Sequence, residues 1–235
     1  LNDNTLTLGS ETSGLTIGGP ITLDHSDEQI LANAADLNLK GLLSVDEGGI
    51  ISDNATLKFS GGINQTGGLL KLNKALLELA GGDISKTGGI LETLDSEISI
   101  STDMKITSNS ELSVKLIDLG DNILELGSAS SDLAVSGNFS LTEDNVNLNT
   151  GNADLRVEGN VNLTKGKLES TDGTVRFKNT TNQTGSFEFK LGDSIFSLGG
   201  YYTKTGGSLE SSSATLSLHD NTTIASDTAI DFDKL

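Results

Sequence analysis

The chain has 235 residues, long enough for one large or two modest domains, yet its hydrophobic fraction is 34% and its aromatic fraction 4%. Leu, Ile and Val must therefore carry any core, and a conventional globular interior is poorly supplied. A formal net charge of −18 excludes nucleic acid and anionic membrane surfaces as partners, and the lack of Cys excludes disulfides and thiol chemistry.

The dominant signal is a tandem duplication. LNDNTLTLGS at 1–10 aligns with LGDNILELGS at 119–128, AGGDISKTGG at 80–89 with LGGYYTKTGG at 198–207, and NQTG at 64–67 with NQTG at 182–185. All share an offset of 118 residues on one ungapped diagonal, along which roughly 30% of positions are identical. The expected units are residues 1–118 and 119–235, forming one continuous rod. The chain opens at Leu1 without an initiator Met, and two whole units leave no remainder for polar caps. It therefore reads as a segment of a longer repetitive protein.

A shorter period runs inside each unit. Ala55–Lys74 aligns with Ala75–Asp95 at a shift of 20 to 21 residues. Apolar-x-apolar triplets recur at this spacing in the first unit: Leu15/Ile17, Leu37/Leu39, Leu57/Phe59, Leu77/Leu79, Ile98/Ile100 and Val114/Leu116. In the second they are Leu133/Val135, Leu155/Val157, Val175/Phe177, Ile195, Leu216/Leu218 and Ile230/Phe232. Alternation at period two over three or four residues marks short strands with one buried face.

Each coil holds further apolar pairs, such as Leu43/Val45, Ile50/Ile51 and Leu70/Leu72, separated by turns rich in Gly, Asn, Asp and Ser. Only residues 29–38, QILANAADLN, offer a plausible helical turn. The expected fold is all-β: a right-handed parallel β-helix, or β-solenoid, with about 20 residues and three short strands per coil and about twelve coils stacked at about 4.8 Å.

The Gly pairs at Thr66-Gly67-Gly68, Thr87-Gly88-Gly89 and Thr205-Gly206-Gly207 recur at coil spacing, as do Gly61-Gly62, Gly81-Gly82 and Gly199-Gly200. They are expected to serve turns and close coil approach, since none follows a phosphate-binding pattern. Acidic clusters at Asp27-Glu28, Asp46-Glu47, Glu143-Asp144 and Asp231-x-Asp233 do not coincide between the copies, and neighbours on a strand point to opposite faces. A solvated acidic surface is expected there rather than a carboxylate pair for glycoside cleavage. The Ca²⁺-binding nonapeptide GGxGxDxUx is absent from the sequence.

His25 and His219 occupy non-equivalent positions without metal-ligand spacing, and no GxSxG is present, so no catalytic residue, metal or cofactor is expected. Tyr201-Tyr202, Phe187, Phe189 and Phe196 cluster in the second copy. They are expected to fill a wider coil, the alternative being exposed tyrosines that stack on a sugar ring. Thr5-Leu-Thr7 stands alone and does not make the flat Thr-x-Thr ladder of an ice-binding solenoid. Seven N-x-S/T sequons, at Asn54, Asn64, Asn138, Asn162, Asn179, Asn182 and Asn221, are equally explained by Asn stacked inside the coils.

The Gly-rich coils, L-x-L triplets and T-G-G turns resemble the β-helical passenger regions of autotransporters and filamentous-haemagglutinin-type exoproteins. That resemblance is one of pattern over the whole chain, and the 118-residue unit suits a giant tandem-repeat surface protein. It implies a non-enzymatic structural or adhesive segment of an extracellular fibre at the cell surface. Its partners would be neighbouring repeats end to end and cell-surface glycans or proteins, with no nucleic acid and no membrane insertion. The alternatives are a carbohydrate-binding or polysaccharide-degrading β-helix and a phage tail-fibre shaft.

Overall fold

A computed structural model describes residues 1, 3–9 and 13–235; Asn2 and Ser10 of the opening repeat motif lie outside these. The chain divides into two compact units, Leu1–Asp118 and Leu119–Leu235, at the boundary of the sequence repeat. Every described element is a short strand and every pairing is parallel, so each unit is a β-solenoid. A turn takes about 21 residues, and the chain makes about ten turns where the shorter period had implied about twelve.

In the first unit, one sheet stacks β1 (Thr5–Thr7), β4 (Gln29–Asn33), β7 (Gly49–Asp53), β10 (Leu69–Asn73) and β13 (Ile90–Glu92). A second stacks β2 (Gly14–Ile17), β5 (Asp36–Leu39), β8 (Thr56–Phe59), β11 (Leu76–Leu79), β14 (Glu97–Ile100) and β17 (Leu116–Asp118). A third stacks β3 (Ile21–Leu23), β6 (Leu43–Val45), β9 (Ile63–Gln65), β12 (Ile84–Lys86) and β15 (Met104–Ser108). The strand β16 (Leu112–Val114) precedes β17.

The second unit repeats this plan. Its first sheet is β18 (Ile123–Leu126), β21 (Asn147–Gly151), β24 (Lys167–Ser170), β27 (Glu188–Leu191) and β30 (Ser208–Glu210). Its second is β19 (Leu133–Val135), β22 (Leu155–Val157), β25 (Thr174–Phe177), β28 (Ile195–Leu198) and β31 (Thr215–Leu218). Its third is β20 (Phe139–Leu141), β23 (Val161–Leu163), β26 (Thr181–Gln183), β29 (Tyr201–Lys204) and β32 (Thr223–Ser226).

The core is a set of like-on-like columns. Leu37, Leu57, Leu77, Ile98 and Ile117 lie in register on successive turns, and none exceeds 4% exposure. A lone coil cannot cover these side chains; the turns above and below do, at about 1.5–3 kcal/mol for each large aliphatic buried. In the second unit the matching column, Leu133, Leu155, Val175, Phe196 and Leu216, holds one aromatic, and Phe196 anchors a cluster drawn from all three sheets. Phe196 meets Phe177, Phe189 and Tyr202 edge-on at ring-centroid distances of 5.7, 5.1 and 5.7 Å.

The glycines act as turn and contact residues, as expected. Gly68, Gly89 and Gly207 have φ of 60°, 68° and 68°, the left-handed region that glycine enters without strain. At Gly88 a Cβ would sit 2.0 Å from the Thr66 carbonyl oxygen, so the turns could not stack there with a side chain present.

Four expectations are corrected. Residues 29–38 form no helical turn: β4 and β5 meet at a tight bend where Asn33 takes φ of 50° and Ala35 N donates to Ala32 O at 2.8 Å. Extended backbone keeps Ile30 beneath Ile50 in the ladder, which outweighs the local helix preference of alanine. The triplet Val114/Leu116 does not exist as such, because the chain turns at Lys115. Ile117 and Leu119 are buried while Leu116 is 37% exposed.

The ungapped diagonal also fails locally. Leu70, Leu72, Leu77 and Leu79 correspond to Phe189, Leu191, Phe196 and Leu198, one residue beyond the 118 offset, whereas Gln65/Gln183 and Ile84/Tyr202 keep it. Phe187 is the added residue before β27, and the loop after Leu198 is one residue shorter than that after Leu79. Ile195, placed inward by the diagonal, is therefore 43% exposed. Finally, Leu218 is 46% exposed and Ile230 and Phe232 lie in no strand; Phe232 instead stacks on Phe196 at 6.3 Å.

Candidate functional site

Polar side chains enter the interior at matched places in both units. Val45, Gln65, Lys86 and Ser108 stack on successive turns of the first unit, at the inward position closing each strand of the third sheet. Leu163, Gln183, Lys204 and Ser226 stack the same way in the second. Gln65 and Gln183 are 1% and 0% exposed, and each donates its amide across the turn, to Ile90 O at 2.9 Å and Ser208 O at 2.7 Å.

Both lysines are 3% exposed and reach one turn onward for a partner. Lys86 Nζ donates to Asn109 Oδ1 at 2.6 Å, and burial pushes its ammonium below the ordinary lysine range. Lys204 Nζ lies 3.2 Å from Asp227 Oδ1 and donates to Thr228 Oγ1 at 3.0 Å. This seam ties successive turns by directional bonds and fixes which residue stacks on which. Sequence reasoning passed over it, although Gln, Lys and Ser at these positions are identical in the two repeats and share the parity of inward residues.

The acidic pairs do not converge. Glu28 is 3% exposed, and its Oε2 accepts from Asp24 N at 2.9 Å and His25 N at 3.4 Å. Asp46 accepts from Thr66 Oγ1 at 2.8 Å, Asp144 pairs with Lys165 at 3.1 Å and Asp233 with Lys234 at 3.4 Å.

Asp24, His25 and Glu28 do gather, with one ligand atom from each within 4.8 Å of the others, a grouping the sequence reading did not assemble. The Asp24 hydrogen bond at 3.2 Å, then Asp3, hold the His25 ring above its ordinary pKa. Since one Glu28 oxygen already binds backbone N–H groups, the cluster closes the turn between β3 and β4. Its counterparts, Thr142, Glu143 and Val146, offer no such group. His219 is exposed and lies elsewhere.

The aromatics divide as one residue against four: Phe187, Phe189, Phe196 and Tyr202 are buried, and Tyr201 is 62% exposed. Tyr201 belongs to an outward face unlike the other two of its unit. On the first and second sheets the outward positions include several charged residues, Glu125, Glu169, Lys190 and Glu210 on the first and Arg156 and Arg176 on the second, among neutral ones. Lys190 lies 3.9 Å from Glu188 and 4.0 Å from Glu210, and Arg156 lies 3.8 Å from Glu158.

On the third sheet the central outward column is Ser140, Asn162, Asn182, Thr203 and Ala225. Two residues along each strand runs a second column, Thr142, Thr164, Thr184, Thr205 and Asp227, still in the ladder because Thr164 N donates to Leu141 O and Thr184 N to Leu163 O. On the other side stand Asn138, Asn160, Thr180, Tyr201 and Thr223. Only Asp227 among these carries a charge. In the first unit the central column is likewise neutral, Thr22, Ser44, Asn64, Ser85 and Thr107, but Asp24, Asp46, Asp83 and Lys105 flank it.

Four of the seven sequon asparagines, Asn64, Asn138, Asn162 and Asn182, fall in outward columns, and Asn54, Asn179 and Asn221 lie in bends between strands. Asn162 and Asn182 lie in register outside the coil, where the alternative reading had stacked such side chains inside it. The Asn/Ser/Thr-x-Thr ladder is likewise present, on β20, β23, β26 and β29, and not at Thr5-Leu-Thr7, which is one rung of another sheet. No helix among the described residues is long and apolar enough to cross a membrane. Compared with protein-family models, with curated proteins and with solved structures, the chain matches none.

Proposed function

We propose that this chain is a non-enzymatic structural or adhesive segment of a long, repetitive extracellular surface protein, displayed as part of a fibre. The observation that supports this reading is where the two repeats agree. Identity is held at inward and turn positions: Leu6/Leu124, Leu37/Leu155, Phe59/Phe177, Gln65/Gln183, Lys86/Lys204 and the Thr-Gly-Gly turns. Several outward positions have diverged in charge and size, as at Lys40/Glu158, Asp46/Thr164 and Asp83/Tyr201; among those kept, Asn64/Asn182 and Thr87/Thr205 are uncharged, and Asp36/Asp154 accepts from the backbone of the next turn, Thr56 N and Thr174 N. A duplicated catalytic site would keep its outward reactive groups; a duplicated spacer needs to keep only what lets turns stack.

An antibody raised to this chain, used on whole-cell lysate before and after protease shaving of intact cells, tests the proposal. A very large band that disappears on shaving is expected. A protease-protected band near 24.4 kDa would overturn it. So would turnover of a pectin- or alginate-like polymer by the purified chain.

A further inference from the structure

The second unit carries a hydrogen-bonding face with a single charged residue, Asp227 at its end, on a molecule whose net charge is −18. Apart from Asp227, charge is absent from these outward columns, while the other two sheets of the same unit carry ion pairs between neighbouring turns, Lys190 with Glu210 and Lys178 with Glu158. We infer that the outward face of β20, β23, β26, β29 and β32 is a binding surface for a neutral polysaccharide. The inference rests on the adhesive reading above and supplies its ligand class.

Three features carry it. Hydroxyl and carboxamide groups both donate and accept, as sugar hydroxyls do, so Asn162, Asn182 and Thr203 can pair with a neutral glycan in either sense. Parallel register repeats these groups at about 4.8 Å from turn to turn and about 6.6 Å along the strand, a regular array suited to a polymer of identical units. Tyr201, at 62% exposure, stands at the edge of the array with its ring free to lie against the C–H face of a sugar.

Charge complementarity selects the partner. An anionic polymer is repelled by the whole molecule, a cationic one is drawn to the acidic sheets, and a neutral one meets no desolvated charge here. The first unit's equivalent face, interrupted by Asp46 and Asp83, lacks this property and provides an internal control.

The test is retention of the 235-residue chain on cellulose and chitin powders, with polygalacturonate-agarose as the charged comparison. Retention on a neutral polymer that survives 1 M salt is expected, because no ion pair is involved. Asn162→Asp with Asn182→Asp should weaken it at least tenfold, Tyr201→Ala should weaken it in the same direction, and Asn64→Asp in the first unit should leave it unchanged. The sites are exposed or half-buried, and an unaltered melting profile checks that folding is intact.

Failure to bind either neutral polymer, binding that the double variant leaves unchanged, or equal loss with Asn64→Asp would overturn the inference. So would shaping of growing ice without polysaccharide retention, or a dimer in solution abolished by the double variant, since the face would then serve another occupant. Loss of binding with surface display intact sinks only this inference; binding without surface display sinks only the cellular reading.

Discussion

The Tyr202 hydroxyl donates to Gln183 Oε1 at 2.6 Å inside the second unit, while in the first unit the matching pair is Ile84 and Gln65, and Gln65 Oε1 has no hydrogen-bond partner. The same region of the first unit holds a cavity of about 20 Å³ lined by Phe59, Leu70, Leu77, Ile84 and Gln65, room for one water. Its counterpart is filled by Phe189, Phe196 and Tyr202, which burial also places above the ordinary phenol range.

Tyr202→Phe should therefore cost about 1–2 kcal/mol by orphaning Gln183 Oε1 in the interior. Ile84→Tyr should raise the stability of the first unit by filling the cavity and giving Gln65 its donor. Because a solenoid need not unfold as one body, both are best read by amide hydrogen exchange in the affected turns. No change in protection for Tyr202→Phe would mean that this bond contributes nothing.

The lysine pair supports a second graft. Asn109→Asp gives Lys86 the carboxylate that Asp227 provides to Lys204 but removes the Asn109 Nδ2 donation to Thr87 O at 2.8 Å, so the net gain at neutral pH should be positive and below about 1 kcal/mol. In the wild type, Lys86 is shifted below 10.5, so the unfolded chain holds more protons between the folded and unfolded values. Stability from this group therefore rises as pH climbs through that window. The variant should lose its gain when the introduced carboxylate is protonated in acid; a gain that persists at low pH would contradict the ion-pair account.

Gly88→Ala places a methyl group 2.0 Å from the Thr66 carbonyl oxygen. The turns must part locally, at more than about 1 kcal/mol. Unfolding in denaturant of the variant beside wild type measures this, and an unchanged midpoint would show that the two turns have slack.

Leu77→Asp and Leu76→Asp differ by one residue and by face, since Leu77 is 4% and Leu76 38% exposed. The first leaves an unpaired charge in a stacked core and should cost about 3 kcal/mol or more; the second should stay within about 0.5 kcal/mol. Similar losses from both would put the strand in a different register.

Much of the fold was legible because period-two alternation and a recurring coil length are local properties. Leu37/Leu39, Leu57/Phe59 and Leu77/Leu79 announced strands on one face, and their spacing of about 20 residues announced parallel stacking. The duplication at 118 residues and the structural use of the Thr-Gly-Gly turns could also be read directly. Lys86 and Lys204 could not, because a charged residue next to a turn is ordinarily outward and nothing local shows that its amine finds an acceptor one turn away.

The sequence by itself determined that this protein is a doubled parallel β-solenoid with an aliphatic core and an acidic exterior. The tertiary structure alone decided which residue lies above which. Ile195 against Phe196, and Leu116 against Ile117, turn on one residue of turn length, and a one-residue slip exchanges the inner and outer faces. Several of these turns admit only glycine because their backbones nearly touch the turn some 20 positions away, a contact no local stretch of sequence displays. The neutral face has the same origin: Ser140, Asn162, Asn182 and Thr203 are scattered polar residues until parallel register aligns them.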